Sequence, residues 1–581
     1  MAITALAVAA LALLGGAAAA AKDDFRFAAV LGDQMVLQRA PARANVWGFG
    51  ATAGERVSVT LDAHPVGAAA ADADGRWLVQ LPATPATGRA HVLTAARASG
   101  GAKLRLSGVL FGDVWVCSGQ SNMVRPVDWA NASQHEMAAA ARYTDVRLFQ
   151  VARLGGATAP LGDLLPPVPG RSLNTWSIPS DPSYRSGPWP GIGWGSGATP
   201  LAQNETAVGP FAASCWYFGR DLYDAVGVPL GLVLSSIGGT TDELWSSADA
   251  LAKCAPDAAA AADAAAAAAA PPQRCDPTGA PGGGNCTGAG LWNGMISPLL
   301  PLAIKGAVWY QGEANEFAAA TYNCTFPAMI DDWRAKWYAA SKGSTSATFP
   351  FGFVQLNSIG KQSVWPNSAV PGIDPLSKAG DFAALRWAQS AEQGFAPNAR
   401  QVDTFMAVTM DTPCTGACTP HGCVHSTYKQ PTGARLSWGA RAVAYGDAEV
   451  KAAGFTGPVP ESVQVSTAGT VSIAFNGFDG DLEIRAKQGF EVYMGGAWRN
   501  ASIGGHSNRT VVLQGAWGGA SHLRYLWANA PCPLFSCALY AAGTYYSLPA
   551  SPFFRELPAA APATTRSGGY AWPYRTSNDA V

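Results

Sequence analysis

The spacing of apolar residues along the chain changes twice, near residues 109 and 446. From about 25 to 106 the pattern consists of short alternating runs, such as residues 57–61, broken by Gly, Pro and Asp. Alternation of this kind predicts half-buried strands, and strands so closely spaced are typical of a small β-sandwich. The alternation returns near the C-terminus, for example at residues 510–513. We therefore predict a β-sandwich at each end of the chain.

Between these ends, continuous apolar runs alternate with helix-like segments. The apolar runs include residues 113–117, 230–234, 307–310, 351–356 and 405–410. Such βα alternation is typical of a parallel sheet with helices on both faces. We predict an α/β core for this part of the chain.

Two segments have a composition unlike that of a packed domain. Residues 1–21 are almost wholly Ala, Leu, Val, Ile and Gly, which resembles a secretory signal peptide and is barely long enough for the alternative, a membrane anchor. An Ala run followed by a Pro- and Gly-rich stretch predicts a surface insertion at 255–290. The predicted divisions are a signal peptide at 1–21, an N-terminal β-sandwich at 22–107, an α/β domain at 108–450 that contains the insertion, a C-terminal β-sandwich at 451–558 and a flexible tail at 559–581.

The charge of the chain is low and balanced. Charged residues make up 14% of the sequence and the formal net charge is −1. A protein without a basic field is poorly suited to nucleic acid or to an anionic membrane surface. We therefore expect no nucleic-acid partner, and no membrane contact beyond the N-terminal targeting segment.

The cysteine content indicates an oxidising compartment. Eleven cysteines and six Asn-x-Ser/Thr sequons favour a secreted protein, or one in the lumen of the secretory or lysosomal pathway. Because eleven is odd, at least one thiol is left over, and we expect it to be Cys117 in the apolar run before Ser121. Cys254, Cys275 and Cys286 are expected to staple the insertion.

Four segments of the central part carry groups that acyl transfer needs. Ser121 is a candidate nucleophile, His425 a candidate base, and Gln311 a side-chain amide donor, while Gly238 and Gly239 free backbone N–H groups to approach a ligand. Three of these segments directly follow apolar runs. The segments are Gly-Gln-Ser-Asn-Met at 119–123, Ser-Ser-Ile-Gly-Gly-Thr at 235–240, Trp-Tyr-Gln-Gly-Glu-Ala-Asn at 309–315 and Cys-Val-His-Ser-Thr-Tyr-Lys at 423–429.

The four segments, in this order, resemble the sialate O-acetylesterase family of the SGNH-hydrolase superfamily. The resemblance extends over roughly residues 25–557 apart from the Ala-rich insertion, and it implies an SGNH-type, flavodoxin-like three-layer core flanked by the two β-sandwiches. Further similar segments lie at 33–39, 293–299, 433–436, 444–446 and 549–554.

The resemblance also implies a mechanism. Ser121 would attack an acetyl ester carbonyl, and His425 would take its proton and later protonate the leaving sugar oxygen. The oxyanion would be held by the N–H of Ser121, by that of Gly238 or Gly239, and by the side-chain amide of Gln311. An acetyl-enzyme would form and be hydrolysed, and neither a metal nor an organic cofactor would be needed.

The sequence departs from the family pattern beside the histidine. The superfamily usually has Asp three residues before it, where this chain has Gly422, and the family often has Pro after it, where this chain has Ser426. Asp411, at the end of an apolar run, resembles an Asp of the family. It is expected near His425, which otherwise would pair with a backbone carbonyl in a Ser–His dyad.

The implied partner is an O-acetylated sugar or glycan, with O-acetylated sialic acid as the first substrate and acetylxylan or another polysaccharide as the alternative. Asn122, Asn315 and Arg125 are assigned to substrate binding, and Arg125 would meet a sialic acid carboxylate. The pattern gives no oligomeric state. A non-catalytic glycan-binding protein built on a hydrolase core is the alternative from another class.

A zinc site is a further alternative for the histidine segment. Cys414, Cys418, His421, Cys423 and His425 lie within twelve residues and could form a tetrahedral site. In a secreted chain, however, thiols at such spacing more often form disulfides. We therefore assign no metal ligand.

Overall fold

The computed structural model describes residues 24–152, 156–166, 174–181, 207–255, 274–275, 288–359, 382–414, 424–543 and 547–559. The predicted signal peptide, most of the predicted insertion and almost all of the predicted tail lie outside these ranges. Within them, no helix is both long and apolar enough to cross a membrane.

The described chain contains strands throughout its length. They are β1 (Arg26–Phe27), β2 (Val36–Gln38), β3 (Asn45–Phe49), β4 (Arg56–Leu61), β5 (His64–Ala70), β6 (Trp77–Gln80), β7 (Thr87–Arg97), β8 (Leu104–Gly119), β9 (Val146–Gln150), β10 (Gly156–Ala157), β11 (Trp176–Ser177), β12 (Leu230–Ser236), β13 (Arg274–Cys275), β14 (Gly306–Tyr310), β15 (Phe351–Gln355), β16 (Thr404–Val408), β17 (Val459–Val465), β18 (Val471–Asn476), β19 (Leu482–Ile484), β20 (Phe490–Met494), β21 (Ala497–Ala501), β22 (Ile503–Ser507), β23 (Thr510–Leu513), β24 (His522–Tyr525), β25 (Leu539–Ala541) and β26 (Phe553–Glu556).

The α-helices fall in the central part of the described chain. They are α1 (Ser121–Val124), α2 (Ser133–Ala139), α3 (Ala213–Val226), α4 (Ala248–Ala252), α5 (Ala319–Ala340), α6 (Phe382–Gln389), α7 (Gln430–Ala444) and α8 (Ala448–Ala453).

The mixed α/β architecture predicted from the sequence is confirmed. The central sheet has the order β11-β9-β12-β8-β14-β15-β16. Its strands from β9 to β16 are parallel, and β11 pairs antiparallel at one edge. Strands β9, β12, β14, β15 and β16 are buried along their whole length, which explains their largely apolar composition.

Helices cover both faces of this sheet. Trp115 of β8 packs against Phe218 of α3, with ring centroids 5.1 Å apart. Trp309 of β14 packs against Trp333 of α5 at 6.0 Å. Trp309 is in register with Ser118, three positions beyond Trp115, and side chains alternate between faces along a strand. The two tryptophans therefore lie on opposite faces, under α3 and α5.

The long strand β8 belongs to two parts of the chain. Its first half pairs antiparallel with β7, and its second half is flanked by β12 and β14. The predicted boundary between residues 107 and 108 falls inside this strand. Ser107 and Gly108 interrupt its apolar run, which is why the sequence pattern indicated an end there.

The C-terminal part is β-rich, as the alternating pattern predicted. It contains two four-stranded antiparallel sheets, β17-β18-β23-β22 and β21-β20-β24-β26, and the smaller pair β19-β25. Phe475 of the first sheet packs against Phe553 of the second, with ring centroids 6.2 Å apart.

The expectation that Cys117 is the unpaired cysteine is wrong. Cys117 forms a disulfide with Cys215, because its side chain points to the face of β8 that α3 covers. Cys254, two residues after α4, pairs with Cys324 of α5. Cys414 is the free cysteine among the described residues.

We expect the Cys117–Cys215 disulfide to stabilise the core. It closes a separation of 98 residues, and loss of a native disulfide typically costs about 2–5 kcal/mol. The double variant C117A/C215A should lose that amount of unfolding free energy in urea titrations. An unchanged unfolding midpoint in the variant would contradict the expectation. The matched control is to reduce both proteins, after which their unfolding curves should converge.

Candidate active site

Ser121 lies where β8 ends, in a turn that only glycine permits. Gly119 has φ +134°, and a Cβ on it would lie 2.1 Å from the carbonyl oxygen of Tyr310. The amide of Gln120 then donates to that same carbonyl, at 3.0 Å. Ser121 opens α1 at the carboxyl ends of the parallel strands, and its side chain keeps a little exposure (8%).

The structure brings His425 against Ser121. Nε2 of His425 lies 2.9 Å from Oγ of Ser121, although 304 residues separate the two in sequence. His425 precedes α7 by five positions, in a segment held at its start and end. The amide of Asn131 donates to Thr427 O at 2.8 Å, and Asn122 Nδ2 donates to Val424 O at 2.9 Å.

Arg125 occupies the other side of the His425 ring. Its guanidinium nitrogen lies 3.1 Å from Nδ1 of His425, and its guanidinium carbon lies 4.2 Å from the ring centre of Trp129. The Arg125 residue is 6% exposed, whereas Trp129 is 47% exposed. Burial lowers the pKa of Arg125 to about 10, so that it is still a cation at neutral pH.

The glycine pair predicted to serve the oxyanion lies beside Ser121. A Cβ on Gly238 would lie 3.3 Å from Cβ of Ser121, which shows how closely this loop approaches the serine. Gly239 has φ +75° and is exposed. The loop is tied to the serine turn, because the amide of Ile237 donates to the carbonyl of Gly119 at 3.2 Å.

Gln311 does not offer a free amide to the serine, contrary to the sequence-based expectation. Its Nε2 donates to Thr240 O at 3.1 Å and to Asn315 Oδ1 at 2.6 Å, which uses both amide hydrogens. Its Oε1 accepts from the hydroxyl of Tyr322 at 3.1 Å, and the side chain is fully buried. Gln311 therefore supports the loop that contains Gly239 from beneath.

The two asparagines expected to bind substrate also form hydrogen bonds within the protein. Asn122 is fully buried, and its Nδ2 donates to Glu313 Oε1 at 2.5 Å while its Oδ1 accepts from Lys429 Nζ at 2.5 Å. Asn315 donates to Asp242 Oδ1 at 2.8 Å and to Glu243 Oε2 at 3.0 Å. Neither amide is directed at the serine, because each is satisfied within the protein.

Asp411 is likewise not placed on His425. Its carboxylate accepts two hydrogen bonds from the Arg435 guanidinium, at 2.7 and 2.8 Å, and one from the hydroxyl of Tyr540 at 3.1 Å. All of this lies in the interior, where Asp411 is fully buried. Since Arg435 belongs to α7, Asp411 anchors the helix that follows His425 and does not contact the imidazole ring directly.

Lys429 is a site residue that sequence reasoning missed, and it meets Glu313 at the side chain of Asn122. Burial raises the pKa of Glu313, whereas burial lowers the pKa of Lys429 to about 7 against the opposing attraction of Glu313. Lys429 Nζ also lies 4.8 Å from the ring centre of Tyr310. The signal of Lys429 in the sequence is a charged residue inside an otherwise uncharged block, four positions after His425.

Several expected residues lie beyond the described part of the chain. Cys418, His421, Gly422 and Cys423, on which the zinc alternative and the departure from the Asp pattern depend, belong to these. Among the described residues, no group of three His, Cys, Asp or Glu side chains is arranged to hold a metal ion.

A serine hydroxyl beside an imidazole, at the carboxyl ends of a parallel sheet, is the arrangement of hydrolases with a nucleophilic serine. The comparisons with known proteins identify the same class. A family profile described as the sialate O-acetylesterase C-terminal domain matches residues 461–557. The chain is 34% identical to the sialate O-acetylesterase of Homo sapiens over 548 residues, which cover 91% of this chain and 92% of that protein.

Two further relatives extend this result. The sialate O-acetylesterase of Mus musculus is 33% identical over 561 residues, which cover 92% of this chain and 94% of that protein. The crystal structure of a carbohydrate acetylesterase from Xanthomonas citri superposes with a TM-score of 0.67 at 27% identity, covering 91% of this chain and 99% of that one. The protein is thus a carboxylic ester hydrolase. The chain belongs to the sialate O-acetylesterase family.

The lowered pKa of Lys429 predicts a pH dependence of stability. Between pH 7 and about 10 the unfolded chain binds a proton at this lysine that the folded chain lacks, so the free energy of unfolding should rise with pH. In K429M this contribution should vanish, while the control K451M, at an exposed lysine, should keep it. Urea titrations of the three proteins at pH 7, 8 and 9 measure the difference. Parallel curves for the wild type and K429M would contradict the assignment.

The Asp411–Arg435 pair predicts that an Asp411 variant should lose stability and keep most of its turnover. D411N leaves a buried guanidinium without its charge partner, so we expect a loss of about 3–5 kcal/mol of unfolding free energy. The turnover number of the folded fraction should fall less than tenfold. If Asp411 oriented the histidine directly, kcat would instead fall by about 10⁴-fold, as loss of the correct tautomer does in serine proteases. Titration of active sites separates the folded fraction from kcat.

Proposed function

We propose that the protein is a secreted or lumenal serine esterase that removes acetyl groups from the hydroxyls of sialic acids through an acetyl-enzyme. The 2.9 Å contact between Ser121 and His425 carries the proposal. The relatives named sialate O-acetylesterases support the choice of substrate. We assign the finer architecture, an SGNH-type core between two β-sandwiches, as part of the same proposal, with the predicted boundaries kept except that at 107/108, which falls inside β8.

The reaction begins with attack of Ser121 Oγ on the acetyl carbonyl carbon. His425 takes the hydroxyl proton at Nε2 and returns it to the sugar oxygen as the C–O bond breaks. Water then attacks the acetyl-enzyme, with His425 taking its proton and returning it to Ser121 Oγ. This step releases acetate and regenerates the serine. The short Nε2–Oγ distance supports this assignment, because proton transfer needs a hydrogen bond of about 2.6–3.2 Å.

The negative charge that forms on the carbonyl oxygen is assigned to backbone donors. The N–H groups of Ser121 and of Gly238 or Gly239 are the candidates, since the glycine loop lies against the serine. Gln311 acts through this loop by binding the carbonyl of Thr240. Preorganised donors of this kind typically contribute about 10²–10³-fold each to turnover.

The fixed position of the catalytic pair also argues against a glycan-binding protein with an inactive core. That alternative would not require a serine and a histidine to keep hydrogen-bond contact. Acetylated polysaccharide is the broader alternative for the substrate, because the structural relative is named only as a carbohydrate acetylesterase.

Acetate release from 9-O-acetylsialic acid by the wild type and by S121A tests the proposal. We expect S121A to lose at least about 10³-fold in kcat, since removal of a nucleophilic serine leaves only the background of the oxyanion site. The control S58A, at an exposed serine of β4, should retain full activity. Equal activity of S121A and the wild type would overturn the assignment. Faster release from acetylxylan than from the sialic acid would redirect it to polysaccharides.

A further inference from the structure

The imidazole of His425 is held from both sides. Ser121 Oγ contacts Nε2, and the guanidinium of Arg125 contacts Nδ1. A guanidinium has N–H donors and no acceptor, so Nδ1 must accept the hydrogen bond. A neutral imidazole that accepts at Nδ1 has its proton on Nε2.

This tautomer is the wrong one for catalysis. With the proton on Nε2, His425 donates to Ser121 Oγ and cannot take the proton of the hydroxyl. A general base at this position needs a free lone pair on Nε2 and a proton on Nδ1. The contact with Arg125 therefore restrains the pair that is meant to react.

Arg125 is positioned to exchange this contact for another. It is the residue directly after α1, and its amide donates to the carbonyl of Ser121 at 2.9 Å, so it is tied to the nucleophile itself. Its guanidinium stacks on Trp129, which is partly open to solvent. A buried guanidinium gains more from a carboxylate than from a neutral imidazole, because the charged pair can form two parallel hydrogen bonds.

We propose that Arg125 is a specificity-determining residue, which restrains His425 until the carboxylate of the substrate draws the guanidinium away. The inference rests on the proposed function, since the substrate class it names is an acetylated sugar that also carries a carboxylate. When Arg125 moves to the carboxylate, Nδ1 takes up one proton and Nε2 releases one. The imidazole stays neutral and becomes a base toward Ser121.

One pair of substrates isolates the carboxylate. The acid 9-O-acetyl-N-acetylneuraminic acid and its C1 methyl ester differ only in this charge. We expect the wild type to prefer the acid at least tenfold in kcat/KM. R125M should lose the preference because the two substrates change in opposite directions. For the methyl ester kcat should rise several-fold, and for the acid kcat/KM should fall at least tenfold. The control R142M, at an exposed arginine, should behave as the wild type.

Failure of the role of Arg125 and failure of the proposed function give different results. The role of Arg125 is overturned if kcat/KM falls equally for both substrates in R125M. It is also overturned if the wild type uses the acid and the methyl ester equally well. If S121A is as active as the wild type, or neither substrate releases acetate, the proposed function fails instead.

The tautomer can be read directly in the wild type, so the inference does not depend on the folding of R125M. Nitrogen-15 NMR of the protein labelled at histidine, with His425 assigned from the spectrum of H425N, should show the proton on Nε2. Addition of N-acetylneuraminic acid should move it to Nδ1, and addition of the methyl ester should not. A proton on Nδ1 in the free protein would overturn the proposal.

Discussion

The side chain of Asn122 ties the site together. It is fully buried directly after the nucleophile, and it bonds Glu313, the backbone of Val424 and Lys429. These partners come from two segments that are remote in sequence. The amide finds all its partners only when both segments are in place. Because an unsatisfied buried amide group costs about 1–3 kcal/mol, this requirement favours the folded arrangement of the two segments. The position of His425, one residue after Val424, follows from that requirement.

The same contacts involve two charged side chains, Lys429, which is buried, and Glu313, which is partly buried. Glu313 and Lys429 contact opposite ends of the Asn122 amide. Burial raises the pKa of Glu313 and lowers the pKa of Lys429, and both shifts favour the neutral side chain. Among the described residues, Arg125 is a cation in direct contact with the imidazole ring. Its influence on His425 is correspondingly direct.

The sequence predicted the parts of the fold that depend on local pattern. Continuous apolar runs identified the parallel strands, and the turn after one of them identified Ser121. His425 was identified from its own segment and from the family resemblance. The partners of buried polar groups were not predictable in this way. Gln311 was expected to serve the oxyanion, but Tyr322 and Thr240, which occupy its amide, come from other elements. Their hydrogen bonds depend on three-dimensional packing that no spacing in the sequence encodes.

The position of Arg125 couples binding of a carboxylate to activation of the serine within one short segment. Ser121 and Arg125 are separated by one helical turn, and the backbone hydrogen bond between them fixes their relative position. His425 arrives from a distant segment and lies between their side chains. A ligand that binds the guanidinium therefore acts on the serine through a single aromatic ring, without any need for a domain movement. Selection for charge and activation of the nucleophile are then the same event.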